Sequence, residues 1–212
     1  DSVSQATRAE TRTRPAAEGS VVDKAMELIS GAERPLIFAG GGAFFSGAAP
    51  ELERFVDTTN IPFYTAPMSR GLIPEDHPVS FPAARSTAMR EADVVLVVGT
   101  RLNWMMNYGK RFNPSARIIQ IDIDESELGH NQNIELGIFG DAKAVMAQLN
   151  EAADGSRPDF AGALESPWVV NLRQADQERL TRSAPILNSD QTPIHPLRLC
   201  KEITEFLDRD AI

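Results

Sequence analysis

The run Val94-Val95-Leu96-Val97-Val98 leads directly into Gly99-Thr100-Arg101-Leu102-Asn103-Trp104, and a second apolar run farther along the chain ends in Asp122-Ile123-Asp124. Neither run alternates with polar residues, which is typical of strands buried on both faces of a parallel sheet. In such sheets ligands bind where the carboxyl ends of neighbouring strands open into loops. A glycine, an arginine and an acid at two such ends are what an anionic nucleotide needs, so the pattern predicts a binding domain.

Helical and strand-like segments alternate on both sides of these runs. An apolar stripe at helical spacing follows Val21 and stops at Gly31. The pattern predicts strands at 35–39, 61–65, 93–98, 117–122 and 138–140, and helices at 50–58, 83–91 and 142–152. We therefore expect the α/β class: a doubly wound, mostly parallel, six-stranded sheet of the Rossmann-like type, with helices on both faces and a C-terminal extension.

Composition bounds the classes of function. The 212 residues carry a net charge of −9 with dispersed cations, which argues against a nucleic-acid surface. Cys200 is the single cysteine, so an internal disulfide is impossible and no zinc spacing occurs. No apolar run approaches the roughly 20 residues that cross a bilayer, and the first 20 residues lack the apolar core of a signal peptide. We expect a cytoplasmic protein with neither membrane nor nucleic-acid partner.

The triple glycine Gly40-Gly41-Gly42 follows the first predicted strand, where backbone amides can approach a phosphate. A dinucleotide fingerprint would require glycine in place of Phe45 and an acid after the next strand, so an ordinary NAD-binding domain is disfavoured. A tight turn that needs glycine only for steric reasons remains the alternative.

Arg101 can clamp a phosphate, or form a surface ion pair with one of the many acids. Asp122 can accept hydrogen bonds from ribose hydroxyls. Asp124, with Glu127 three residues later, reads as a helix cap, and the acids around it lack the spacing of a calcium loop. We therefore expect no metal site.

No catalytic residue is expected in this chain. His77, His130 and His195 stand apart from any nucleophile motif. The aromatic and methionine cluster at 104–108 either lines an adenine or acyl pocket or joins the core or a subunit contact.

The order of several motifs resembles the central domain of thiamine diphosphate-dependent enzymes, the acetolactate synthase superfamily. These motifs are Arg34-Pro35-Leu36-Ile37 with the triple glycine, the stretch 69–78, Ala92-Asp93-Val94-Val95-Leu96, the stretch 119–124 and Gly140-Asp141-Ala142. Arg101-Leu102-Asn103-Trp104 and Glu127-Leu128-Gly129-His130-Asn131 look most like the branch of 2-hydroxyacyl-CoA lyase and oxalyl-CoA decarboxylase. The stretch 193–200 looks like the entry into the diphosphate-binding domain of that branch.

The resemblance implies three segments: a linker at 1–20, the central domain at 21–153, and a linker with the truncated start of the diphosphate-binding domain at 154–212. It further implies a parent enzyme, a lyase or transferase that forms or cleaves carbon-carbon bonds or decarboxylates its substrate, assembled as a homo-oligomer. In the family that the chain resembles, thiamine diphosphate and magnesium lie between two other domains, one of which carries a Gly-Asp-Gly motif. Gly140-Asp141-Ala142 departs from that motif and belongs to the central sheet, so the cofactor is expected in the parent enzyme and not in this segment. The fragment alone is expected to be non-catalytic.

By position the resemblance also implies nucleotide contacts, at Gly41, Gly42, Gly99, Thr100, Arg101, Asn103, Asp122, Ile123, Asp141 and Ala142. Asn103 replaces the more acidic sequence of acetolactate synthases, which favours ADP or coenzyme A over FAD. Asp141 serves equally well as a helix N-cap.

Three hypotheses remain. The first is the nucleotide-binding central domain, and the second is a purely structural module of an acetolactate synthase-type enzyme, with Arg101 paired internally. The third is an NAD-dependent enzyme of the sirtuin-like class, whose four-cysteine zinc site a single cysteine excludes.

Overall fold

A parallel sheet of five strands forms the centre of the described structure, a computed structural model covering residues 13–156 and 163–208. The strands are β1 (Pro35–Ala39), β2 (Phe63–Thr65), β3 (Val94–Val98), β4 (Arg117–Asp122) and β5 (Leu136–Phe139). Their order is β2-β1-β3-β4-β5, and every neighbouring pair is parallel. The chain reverses its direction of travel across the sheet between β1 and β3, which is where open α/β sheets bind their ligands.

β3 is the middle strand of the sheet, and all five of its side chains are buried and apolar. Leu96 pairs in register with Ile37 of β1 on one side and Ile119 of β4 on the other. A strand without a polar face requires cover on both sides of the sheet, and the helices supply it.

The helices are α1 (Gly19–Ser30), α2 (Gly41–Ser46), α3 (Ala49–Thr59), α4 (Arg85–Glu91), α5 (Ala142–Ser156), α6 (Pro167–Leu187) and α7 (Pro196–Phe206). α5 contacts α1, α2 and α3 in one layer, whereas α4 contacts α6 in another. Single 3-10 turns lie at Pro67–Ser69, Pro82–Ala84, Glu125–Glu127 and Ala163–Glu165, and a longer 3-10 segment, Trp104–Gly109, is kinked at Asn107 and Tyr108. The predicted α/β class and the parallel sheet are confirmed.

The expectation of six strands is wrong for the described residues, which form five. Each of the five apolar runs recognised in the sequence is already a member of the sheet, so no described run is left to add an edge strand. The triple glycine starts α2, a helix that was not predicted because glycine is a poor helix former. α6 extends from Pro167 to Leu187 within the segment 154–212 that was expected to begin as a linker.

Segments outside the predicted central domain contact the sheet domain. The side chain of Gln148 exchanges two hydrogen bonds of 2.9 Å with the backbone of Ala17, within the predicted N-terminal linker. Trp168, Val169 and Leu172 of α6 are buried, and Trp168 Nε1 donates to the carbonyl oxygen of Pro35 at 3.0 Å. Residues 1–12 of the linker predicted at 1–20, residues 157–162 and the terminal residues 209–212 lie outside the described residues.

None of the helices in the described ranges has both the length and the apolar character that a bilayer-spanning helix requires.

Candidate functional site

A cleft of about 430 Å³ opens at the carboxyl ends of the strands. Its walls come from α2, from the ends of β3 and β4, from the start of α5 and from the N-terminal segment. The lining residues are Thr13, Arg14, Gly42, Phe45, Ser46, Gly99, Ile121, Asp122, Ile123, Gly140, Asp141 and Ala142. Six of the ten residues expected to contact a nucleotide are among them: Gly42, Gly99, Asp122, Ile123, Asp141 and Ala142.

The floor of the cleft is a close backbone contact between the loops after β1 and β3. Gly99 has φ +57°, and a Cβ on it would lie 2.6 Å from the backbone nitrogen of Ala43 and 2.8 Å from the Cα of Gly42. The Gly42 N–H donates to the Gly99 carbonyl oxygen at 2.9 Å. These glycines therefore meet a steric need, and the amide of Gly42 is engaged by the protein itself.

Asp122 is the buried acid of the cleft, with 8% of its surface exposed. Its Oδ1 accepts a hydrogen bond of 3.0 Å from the N–H of Asp124. Burial raises the pKa of Asp122, and the nearby charge of Glu127 acts in the same direction. The backbone hydrogen bond from Asp124 and the charge of Arg101 act in the opposite direction. Asp122 is therefore an acceptor in an apolar setting beside Ile121 and Ile123.

Asp141 serves two structural purposes at the far wall. Its Oδ1 accepts from the N–H of Ala144 at 3.1 Å, which caps the first turn of α5. Arg14 Nη1 lies 2.8 Å from both carboxylate oxygens and also donates to the carbonyl oxygen of Ser46 at 2.9 Å. The helix-cap alternative for Asp141 is thus present in the structure, together with an ion pair that ties the N-terminal segment to α2 and α5.

Arg101 lies outside the lining of the cleft. Its Nε is 3.1 Å from Glu127 Oε1, its Nη2 is 3.8 Å from Asp124 Oδ2, and 62% of the side chain is exposed. The guanidinium is close enough to Asp122 to lower the pKa of that carboxyl. The hypothesis of a purely structural module predicts this internal pairing of Arg101.

The other three expected contacts also lie outside the lining. Thr100 is buried, and its Oγ1 would meet a Cβ on Gly40 at 2.1 Å. Asn103 caps the following 3-10 turn by accepting from the N–H of Met105 at 3.0 Å. Gly41 faces the Cβ of Met68. Each of them supports the loops around the cleft.

The sequence reasoning missed the N-terminal wall. Arg14 and Thr13 lie in the stretch predicted to be a linker, and Phe45, which is 76% exposed, and Ser46 belong to the unpredicted α2. No local pattern in the sequence marks Arg14, because its partner Asp141 is 127 positions away.

The acids after β4 form a turn. Asp124 caps the 3-10 turn Glu125–Glu127 by accepting from the N–H and the hydroxyl of Ser126, and these bonds lower the pKa of Asp124. The capping role is confirmed, although the turn replaces the expected helix. Across residues 13–156 and 163–208, no group of three His, Cys, Asp or Glu side chains is arranged to hold a metal ion.

The three histidines have no described nucleophile as a partner. His77 Nε2 lies 3.0 Å from Asp57 Oδ1, and its ring meets Phe63 edge-on. His195 Nδ1 accepts from the N–H of Leu197 at 3.1 Å and so caps α7. His130 is exposed on the loop after β4.

The cluster at 104–108 divides between core and surface. Met106 is buried, whereas Trp104, Met105 and Tyr108 are exposed, Trp104 by 72%. Met106 therefore belongs to the core, which was one of the expected roles of this cluster. The side chains of Trp104, Met105 and Tyr108 present an apolar surface beside the loop after β3.

Comparison with known proteins agrees with this fold. The family model described as "Thiamine pyrophosphate enzyme, central domain" matches residues 22–149. The chain therefore belongs to this family of thiamine pyrophosphate enzyme central domains, which confirms the resemblance drawn from its motifs.

Similar curated proteins come from both branches of the superfamily. The chain is 36% identical over 186 residues to a 2-hydroxyacyl-CoA lyase of Oryza sativa subsp. japonica, covering 85% of this chain and 32% of that protein. It is 32% identical over 197 residues to 2-hydroxyacyl-CoA lyase 1 of Homo sapiens, covering 92% and 34%. It is also 32% identical over 198 residues to the acetolactate synthase large subunit IlvG of Mycobacterium tuberculosis, covering 93% and 35%. The chain spans about a third of the length of these relatives.

The described residues do not fit a magnesium-diphosphate site. Asp141, the acid of the motif that departs from Gly-Asp-Gly, is already bound by Arg14 and by the amide of Ala144. The two acids nearest Asp122, which are Asp124 and Glu127, are paired with Arg101. The cleft instead offers one buried acceptor, a close backbone floor and apolar walls.

Proposed function

We propose that this chain is the non-catalytic, nucleotide-binding central domain of a thiamine diphosphate-dependent enzyme of the 2-hydroxyacyl-CoA lyase type. Its cleft would hold the ADP part of coenzyme A, or a related nucleotide. The observation that carries this proposal is Asp122, a buried carboxyl at the end of β4 that faces a cleft of about 430 Å³. Cavities of roughly 300–1,000 Å³ with few polar groups and apolar walls are typical small-molecule sites.

The ribose is the part of the ligand that Asp122 is suited to bind. One oxygen of its carboxyl accepts from Asp124, and carboxylates have further lone pairs for hydroxyl donors. Because Asp122 is buried, a ribose hydroxyl that donates to it replaces no strong contact with water. The exposed Phe45 and Ile123 at the rim offer apolar faces to the base.

The diphosphate is assigned to Arg101. The Arg101 side chain is 62% exposed, whereas its partner Glu127 is 20% exposed, so a phosphate reaches the guanidinium from its solvent side. Guanidinium-phosphate pairs are bidentate and strong, and the guanidinium has donors besides the Nε that faces Glu127. Together with Asp122 this places a cation and a ribose acceptor at neighbouring strand ends.

The proposal is tested by calorimetric titration of the chain with ADP, coenzyme A, FAD and NAD. We expect ADP and coenzyme A to bind more tightly than FAD and NAD. Asp122→Asn should weaken ADP binding at least tenfold, because the amide adds a donor where only an acceptor is needed. Arg101→Gln should weaken ADP and leave adenosine unchanged.

Matched controls separate the cleft from general charge effects. Asp23→Asn on α1 and Arg117→Gln at the start of β4 make the same chemical changes on exposed residues far from the cleft, and both should bind like the native chain. Thermal unfolding checks that each variant is folded. Absence of binding by native protein, or equal weakening in the controls, would contradict the proposal.

The whole protein would extend beyond this segment. In the proposal, thiamine diphosphate and magnesium are held by catalytic domains on either side, and the assembled enzyme is a cytoplasmic homo-oligomer. Its reaction would be cleavage, formation or decarboxylation at a carbon-carbon bond beside a carbonyl, for which this cofactor serves as the electron sink. A full-length version that turns over without added thiamine diphosphate after dialysis against a chelator would contradict this assignment.

A structural module is the second candidate, and the internal pairing of Arg101 favours it. The apolar face of α7 also supports it, since Leu197, Leu199, Ile203 and Phe206 are exposed, Phe206 by 87%. On this hypothesis no nucleotide binds, and the face contacts another domain or subunit. Sedimentation of the chain with and without Ile203→Asp measures this contact directly.

A further inference from the structure

A second cavity of about 660 Å³ lies beside α4, away from the cleft. The helix itself, the loop between β3 and β4, and α6 all contribute to its walls. Five of its lining side chains are cations: Arg85, Arg90, Lys110, Arg111 and Arg179. We call this cavity the basic pocket.

Among the described residues, the cations of the basic pocket have no ion-pair partner. The chain has 30 acidic residues against 21 Lys and Arg, and Arg14, Arg54, Arg101 and Arg198 all form ion pairs. Within residues 13–156 and 163–208, the five pocket cations form no salt bridge. An acidic chain that leaves five clustered cations unpaired carries a local field that attracts anions.

One acid lies beside the pocket, and among the described residues it forms no salt bridge with the pocket cations. Asp176 on α6 accepts from the backbone N–H of Ala83 at 2.7 Å and of Ala84 at 3.3 Å through its Oδ1. Its carboxylate is thus used to hold the turn that leads into α4. Its charge acts on Tyr64, whose pKa it raises together with burial.

Arg85 is the fixed element of the pocket. Its guanidinium carbon lies 5.2 Å from the ring centroid of Phe38, at cation-π distance. Burial lowers the pKa of Arg85, and the charges of Arg111 and Arg70 lower it further. The contact with the Phe38 ring restricts the Arg85 side chain, so less conformational entropy is lost when a ligand binds.

The pocket also has a polar orphan and an apolar wall. Ser86 Oγ is buried and has no hydrogen-bond partner in the described structure, although most buried polar atoms are paired. Met89, Phe112 and Pro114 line the same space, and Phe112 is fixed by an edge-on contact with Phe38 at 6.0 Å. The pocket thus combines cations, one free hydroxyl and an apolar surface.

We propose that the basic pocket is a second ligand site, distinct from the cleft, and that it binds the phosphate ester of a small organic molecule. The guanidinium groups of Arg85, Arg111 and Arg179 receive the phosphate, and the Ser86 hydroxyl donates to one of its oxygens. The organic group lies against Phe112 and Pro114. The cavity volume is that of a small-molecule site, which favours an ester over an acidic peptide.

The test is calorimetric titration of the chain at low ionic strength with phenyl phosphate and, separately, with inorganic phosphate. We expect phenyl phosphate to bind with one-to-one stoichiometry and at least tenfold more tightly than inorganic phosphate. The double variant Arg111→Gln/Arg179→Gln should lose at least tenfold in affinity, and 0.5 M chloride should weaken native binding because charges are screened. Both replaced side chains are exposed, so the fold is retained, as thermal unfolding will verify.

The control Arg117→Gln/Arg182→Gln removes the same charge from exposed arginines outside the pocket, and it should bind like the native chain. Asp122→Asn should also leave phenyl phosphate binding unchanged, which separates this site from the cleft. Equal loss in the control, or no binding of either probe, would overturn the site. If the two probes bind with equal affinity, the pocket recognises free phosphate and the proposed ester ligand is wrong. If a hexaglutamate peptide binds more tightly than phenyl phosphate, the pocket recognises an acidic peptide segment and the proposed ester ligand is again wrong.

Discussion

The cleft and the basic pocket treat charge in opposite ways. In the cleft Arg14 is bound by Asp141, and Asp122 accepts from the backbone of Asp124. In the basic pocket Arg85, Arg111 and the other cations face one another without a described acid partner. The Arg14–Asp141 pair of the cleft therefore contributes to the stability of the fold, and a ligand beside Asp122 needs to offer hydroxyl donors. In the pocket the charges of Arg85 and Arg111 repel each other, so a ligand there needs to bring negative charge.

The largest effect is expected at the floor of the cleft. Gly99→Ala should lower the free energy of unfolding by about 3 kcal/mol, because it combines a left-handed φ with a clash against the backbone of Ala43. Gly71→Ala is the matched control, since Gly71 has φ +82° but open space around it, and should cost only about 1 kcal/mol. Urea unfolding of both variants measures the difference. Equal losses would mean that the loops after β1 and β3 are not in close contact.

The ion pair at the wall of the cleft is expected to have the next largest effect. Arg14→Gln should destabilise the chain by about 1 kcal/mol, because it removes the pair with Asp141 and the bond to Ser46 while leaving the carboxylate half-buried. The control is Lys24→Gln, which breaks an exposed pair within α1 and should cost less than about 0.5 kcal/mol. If the two variants melt alike, the N-terminal segment contributes nothing to the sheet domain.

In the basic pocket, removing charged side chains should stabilise the chain instead of destabilising it. Arg111→Gln/Arg179→Gln should raise the free energy of unfolding by about 0.5 kcal/mol at low ionic strength, because Arg111 repels Arg85 and Arg179 adds a further positive charge to the same pocket. The gain should shrink in 0.5 M chloride, where the repulsion is screened. A loss of stability in this variant would show that these cations are paired, and the contrast with the cleft would fail.

The smallest expected effect is the change of stability with pH, and the test is whether a variant is more or less stable than the native chain. Because burial raises the pKa of Asp122, the folded chain keeps this proton at pH values where the unfolded chain has released it. This contribution to stability is full below the ordinary aspartate pKa of about 3.9 and is lost as the pH rises through the raised value. Asp122→Asn should therefore be more stable than the native chain at pH 7, with the gain vanishing near pH 3.

The pKa of Asp124, two residues away, is shifted in the opposite direction from that of Asp122. Hydrogen bonds from Ser126 lower the pKa of Asp124, so its contribution is present above the ordinary aspartate pKa and is lost as the pH falls. Asp124→Asn should be less stable than the native chain at pH 7 and equal to it in acid. Denaturant titrations of both variants across this pH range would refute the assignment if the two differences had the same sign.

The sequence predicted the sheet well because its strands are decided locally. β1, β3 and β4 are runs of buried apolar residues, and β3 differs from the predicted range by one residue. Gly99 and Asp122 could be placed at neighbouring strand ends by the parallel topology alone. The family confirmed by comparison was also evident from the order of the motifs.

Contacts between distant parts of the chain could not be predicted in this way. Arg14 pairs with Asp141 across the whole sheet domain, and Trp168 reaches Pro35. The choice between a phosphate ligand and an ion pair for Arg101 depended on whether Glu127 came within reach after a turn. The basic pocket gathers cations from α4, the loop after β3 and α6, so no local pattern marks it.

The most direct test of the nucleotide-binding claim is an amide NMR titration of the chain with adenosine, which has the ribose and the base but no phosphate. We predict that the amide signals of Gly99, Asp122 and Ile123 shift in a saturable way, while those of Ser86 and Phe112 in the basic pocket stay in place. Asp122→Asn should abolish the shifts. Unmoved cleft signals at saturating adenosine, or shifts confined to the basic pocket, would contradict the account.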